Sequence, residues 1–105
     1  MKTKAAVVYE LGAERPYAKS RPMKVEEIDL DPPQANEVLV KVAAAGVCHS
    51  DLSVVAGVRE RPLPMVLGHE ASGVVQEVGP GVEGLEPGDH VVFAFLPSCG
   101  QCLPC

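Results

Sequence analysis

Tryptophan is absent from the 105 residues, and aromatic side chains make up only 4% of them. Isoleucine occurs once, against 17 valines, so any core must be built from small β-branched groups rather than large rings. Basic residues are also few, with 9 Lys and Arg against 14 Asp and Glu and a formal net charge of −5. Without a basic stripe, nucleic acid and an anionic membrane surface are excluded as natural partners. No apolar run approaches the roughly 18 residues of a membrane span. The opening Met1 to Glu10 turns polar too soon for a secretory signal, so the expected location is cytoplasmic.

What the sequence has in excess is Gly and Pro, 10 of each. With the valines they predict short strands joined by tight connections, in one domain over 1–105. Lys4 to Tyr9 reads as a first strand and Leu11 to Pro22 as turn-like. Over Met23 to Leu30 the apolar phase slips, which predicts a bulge near Glu26 and Glu27. Glu37 to Ala43 alternates cleanly as a strand. Ser50 to Ala56 has helical spacing, with Ser50 as a possible cap and Gly57 as a stop. Ala71 to Val78 reads as a strand, and the continuous apolar run Val91 to Phe95 as one buried on both faces.

Four cysteines in an acidic chain without a signal point to metal or catalysis rather than disulfides. Cys48 falls between a strand and a helix start, where backbone N–H groups favour a thiolate. His69 lies in Gly68-His69-Glu70, where the glycine allows close backbone approach. Taken singly, each residue is equally readable as an ordinary buried thiol or a satisfied polar ring. Cys99-x2-Cys102-x2-Cys105 is more specific, because this spacing lets successive sulfurs converge on one ion. Zinc or an iron–sulfur cluster would each need one further ligand.

In combination, Gly46-Val47-Cys48-His49-Ser50-Asp51, Gly68-His69-Glu70, Gly73, Val78-Gly79, Gly88-Asp89-His90-Val91 and the three spaced cysteines resemble the zinc-dependent medium-chain alcohol dehydrogenases. The resemblance runs from Lys4 to Cys105. It implies a mainly β fold, the GroES-like, partly open β-barrel with short helices, as the N-terminal part of a catalytic domain. It implies that Cys48 and His69 are catalytic zinc ligands, with Glu70 as a transient one, and that Asp51 orients the histidine. Ser50 would contact the substrate oxygen and begin a proton relay, His49 would approach the coenzyme pyrophosphate, and Phe95 would wall the substrate pocket. Cys99, Cys102 and Cys105 would hold a structural zinc. His90 opens a strand motif and receives no chemistry.

The implied activity is hydride transfer from an alcohol to NAD or NADP, giving an aldehyde or ketone, in a parent enzyme that forms a homodimer or homotetramer. Ser53 stands where a relay histidine often occurs in this family, so the proton must leave by another route. No G-x-G-x-x-G occurs in the 105 residues, so the resemblance places the nucleotide-binding Rossmann domain beyond them, and these residues alone are expected to be inactive. A free-standing GroES-like scaffold or binding module is the rival reading, but it needs no metal ligands. A small zinc or iron–sulfur protein built on the last three cysteines leaves Cys48 and Gly68-His69-Glu70 unexplained.

Overall fold

A computed structural model describes residues 1–105. In chain order the elements are β1 (Lys2–Val8), α1 (Tyr17–Ser20), β2 (Met23–Asp29), β3 (Val38–Ala45), α2 (His49–Val55), β4 (Met65–Val66), β5 (Ala71–Val78) and β6 (His90–Val92). The strands form two antiparallel three-stranded sheets, in the orders β2-β1-β4 and β3-β5-β6. No strand joins one sheet to the other. This is the mainly β, partly open arrangement that the resemblance implies.

The buried apolar side chains are all valines: Val7 and Val8 of β1, Val54 and Val55 of α2, and Val75 of β5. The valine-rich, ring-poor composition therefore does supply the core. Gly12 N–H donates to the Val55 carbonyl at 3.0 Å and ties the segment after β1 to the end of α2. The core is small, with 8 of 105 residues buried. The radius of gyration is 15.7 Å, against about 13 Å for a compact chain of this length.

Three expectations need correction. β1 and β2 pair in unbroken register from Lys2↔Asp29 to Val8↔Met23, so there is no bulge at Glu26 and Glu27. β2 is an edge strand whose Val25 is 76% exposed, so no buried face forces its apolar residues into one phase. The register shifts lie instead between β3 and β5, at Leu39/Val40 and Val42/Ala44. The run Val91 to Phe95 is not buried on both faces: β6 ends at Val92, and Val92, Phe93 and Phe95 are exposed. It is an edge strand paired only with β5. The turn-like segment before β2 contains the four-residue helix α1.

The β3–β5 ladder builds the site. Its last pair is Ala45↔Ala71, so the residues leaving β3 and those entering β5 are neighbours. Gly46 N–H donates to the Glu70 carbonyl at 2.9 Å and extends that pairing. Cys48 and His69, far apart in sequence, are thereby carried to the same sheet end.

Candidate metal centres

Cys48, rather than Ser50, is the N-cap of α2, with extended φ −103 and ψ 152. Asp51 closes this turn reciprocally: its N–H donates to the Cys48 carbonyl at 3.1 Å, and the Cys48 N–H donates to Asp51 Oδ2 at 3.2 Å. The other carboxylate oxygen, Oδ1, lies 3.3 Å from His69 Nδ1. Asp51 is buried, at 8% exposure, and its contacts with Cys48 and His69 coexist because each uses a different oxygen.

The carboxylate fixes the ring. A neutral His69 with an anionic acceptor at Nδ1 carries its proton there and leaves the Nε2 lone pair free. Nε2 faces Ser50, whose Oγ is 3.3 Å away. Freed from capping, Ser50 turns its hydroxyl toward the histidine. Cys48 Sγ, a His69 ring nitrogen and a Glu70 carboxylate oxygen all lie within 4.8 Å of one another. The Ser50 hydroxyl and backbone N–H, followed by His69, hold the Cys48 thiol below its ordinary pKa. Donation from the protonated His69 ring to the Cys48 thiolate raises the His69 pKa against the opposing effect of burial.

Two glycines shape the cluster. A Cβ on Gly46 would stand 2.8 Å from Glu70 Oε2, so the missing side chain makes room for that carboxylate. Gly68 has nothing within 4 Å of a built Cβ, but its φ of +119° is one that side-chain-bearing residues rarely adopt. Its contribution is backbone conformation, not the close approach the sequence suggests.

A cleft of about 570 Å³ opens on the cluster and includes Cys48, Ser50, His69, Met65, Leu67 and Phe95 in its lining. The Phe95 ring meets His69 edge-on, with centroids 6.5 Å apart and planes at 66°. Phe95 is 69% exposed and is a cleft wall, not core. His49 is not part of this lining. It lies exposed on the first turn of α2, where Ser53 Oγ is 3.5 Å from its Nδ1 and donates to its carbonyl at 3.2 Å. Sequence reasoning missed Arg59 and Arg61, which also line the cleft. Their signal is faint: two of the few cations, on a loop between α2 and His69.

The second cluster is formed by Cys99, Cys102 and Cys105, all exposed and unpaired as disulfides. Cys105 Sγ is 3.2 Å from Cys102 Sγ and 3.8 Å from Cys99 Sγ. Thiolates sharing one tetrahedral ion at Zn–S about 2.3 Å stand about 3.8 Å apart. The Cys102 N–H donates to Cys99 Sγ at 3.3 Å, as does the Ser98 hydroxyl to Cys105 Sγ. The Ser98 hydroxyl and then Cys102 lower the Cys105 pKa to about 6. Cys99 is lowered first by the Gln101 N–H, while neighbouring Cys105 raises Cys102. A soft thiolate cluster and a mixed thiolate, imidazole and carboxylate cluster both suit zinc.

The family model described as the alcohol dehydrogenase GroES-like domain matches residues 34–105. An NDMA-dependent alcohol dehydrogenase of Amycolatopsis methanolica is 48% identical over all 105 residues, and a putative alcohol dehydrogenase D of Mycobacterium tuberculosis is 50% identical. The chain spans 26% of the length of each. The crystal structure of benzyl alcohol dehydrogenase from Acinetobacter calcoaceticus superposes with a TM-score of 0.84 at 41% identity, covering 100% of this chain and 26% of that one. With sequence, fold and motif order in agreement, the chain belongs to the GroES-like domain family of the medium-chain alcohol dehydrogenases.

Proposed function

We propose that residues 1–105 are the N-terminal part of the catalytic domain of a zinc-dependent alcohol dehydrogenase that uses NAD or NADP as hydride acceptor. The observation supporting this most strongly is the convergence of Cys48, His69 and Glu70 donors within 4.8 Å, with Asp51 on the far nitrogen of His69. An isolated scaffold module needs neither the donor set nor the orienting carboxylate.

In this reading Cys48 and His69 would hold a catalytic zinc, with Glu70 as a transient ligand, and Cys99, Cys102 and Cys105 would supply three of the four ligands of a structural one. The catalytic ion supplies the Lewis acidity that makes an alcohol proton labile near neutral pH. The chain's own residues do the rest. Asp51 keeps the Nδ1–H of His69 engaged and presents Nε2 to the cleft. The Ser50 hydroxyl accepts the alcohol proton and releases its own toward water, since Ser53 offers no imidazole for a longer relay. Phe95, Met65 and Leu67 provide apolar cleft walls that hold the carbon part of the substrate. Both sheets are antiparallel and contain no βαβ unit of the dinucleotide-binding kind. Coenzyme binding is assigned to the remainder of the parent enzyme.

The test is metal content and alcohol oxidation in the full-length protein. Cys48→Ala should remove the catalytic zinc and abolish turnover while retaining the structural zinc. Cys102→Ala should lose structural zinc and lower the unfolding temperature first, because a closed structural site contributes folding energy directly. Loss of both metals to the same extent from either change contradicts two independent sites.

A further inference from the structure

The cleft that contains Cys48 and His69 also carries two positive charges that the fold does not use. Arg59 and Arg61 line it, on the segment between α2 and β4. The backbone at Arg59 is anchored to α2: the Val58 and Arg59 N–H groups both donate to the Ser53 carbonyl, at 3.0 and 3.2 Å. Their side chains are unengaged. The ion pairs of the chain are Lys2–Asp29 and His69–Asp51, and neither guanidinium has an acidic partner. Both arginines are exposed, and even the adjacent Glu60 and the cleft residue Glu70 do not pair with them.

This placement is unusual for so acidic a chain. Carboxylates outnumber cations 14 to 9, yet two unpaired cations share one cleft. A free guanidinium presents a planar fork of donors matched to a carboxylate, and charge-assisted bonds of this kind are about twice as strong as neutral ones. The cleft thus combines metal-type donors, apolar walls and a cationic lining in about 570 Å³, a volume suited to a small molecule.

We infer that the cleft selects an alcohol bearing a carboxylate, with Arg59 and Arg61 holding the charge while the hydroxyl reaches the Cys48–His69 site. This rests on the alcohol dehydrogenase reading above. The phosphates of a dinucleotide share the same anionic chemistry, so the test separates the two sources.

Benzyl alcohol and para-hydroxymethylbenzoate differ only by the carboxylate, and both are assayed with the full-length, zinc-loaded protein. The expected kcat/KM ratio favours the carboxylate compound by about tenfold or more, as charged hydrogen bonds imply. Arg59→Ala and Arg61→Ala should bring the ratio toward unity through KM, and added salt should do the same. Arg61→Lys should retain part of the preference, since charge remains and the fork is lost. Calorimetry without coenzyme should show para-hydroxymethylbenzoate binding that weakens about tenfold in the alanine variants.

Turnover of benzyl alcohol with no carboxylate preference, and a ratio unmoved by either substitution, overturns the inference while leaving the dehydrogenase reading intact. A rise in coenzyme KM in place of alcohol KM also overturns it and assigns the arginines to dinucleotide phosphates. Arginine-dependent carboxylate binding without turnover of either alcohol supports the anion site and contradicts the dehydrogenase reading. Absence of calorimetric binding overturns the site.

Discussion

Asp51 joins the local and long-range parts of the site. One oxygen caps α2 through the Cys48 N–H, and the other engages Nδ1 of a histidine that arrives from a different segment. Asp51→Asn keeps an oxygen for one of these contacts but removes the anion. Zinc affinity of the Cys48–His69 site is expected to fall about 10–100-fold, as for other supporting partners of metal-bound histidines. The weakened cap should cost no more than about 1 kcal/mol of stability. Chelator competition and thermal unfolding separate the two effects; unchanged affinity with a large stability loss would make Asp51 a cap alone. A second residue-scale expectation concerns Tyr9, whose hydroxyl donates to Glu26 across the β1–β2 sheet. That bond, more than burial, raises the Tyr9 pKa. The folded state therefore favours the neutral phenol. The associated stability is full below the unfolded phenol pKa, about 10, and is lost as pH rises through the raised folded value. Glu26→Gln should shift this ionisation to lower pH in an ultraviolet absorbance titration, and an unmoved curve would contradict the assignment.

Among the elements, those with a regular apolar period were the most legible. The alternation of Val38, Val40 and Val42 marked β3, and the spacing of Leu52, Val55 and Ala56 marked α2, each within two residues of its observed bounds. Edge position alone does not decide legibility, since β3 is also an edge strand, but β2 and β6 lack its clean alternation. β2 and β6 have little burial to impose phase, so an irregular apolar pattern reflected neither a bulge nor a doubly buried strand. β4, two residues long and paired through Val7↔Val66 and Val8↔Met65, is too short for any period to reveal. The site residues on α2 and beside β5 were visible as motifs, but their convergence depends on the Ala45↔Ala71 register, which has no local sequence signal. Arg59 and Arg61 carry no motif, and only the three-dimensional cleft reveals them. The contrast between buried and edge positions gives a direct stability test. Val54→Ala, at a site 5% exposed, should cost about 2 kcal/mol in urea unfolding. Val25→Ala, at 76% exposure on β2, should stay within about 0.5 kcal/mol. Equal costs would contradict the location of the core.

At the scale of the molecule, two open sheets with a small valine core present a donor-lined cleft. Considerable apolar surface remains exposed, including Val47 and Val92 and the cleft wall Phe95. The chain spans 26% of the length of these dehydrogenase relatives. The proposed function requires two separate side-chain clusters to hold zinc, one for chemistry and one for stability. The most direct measurement is a zinc-edge anomalous difference map from crystals of the full-length protein. Two peaks are expected, one bounded by Cys48 Sγ and His69 Nε2 and one by the sulfurs of Cys99, Cys102 and Cys105. A fully zinc-loaded crystal with no peak between Cys48 and His69, or with His69 turned to bind through Nδ1, would contradict the account.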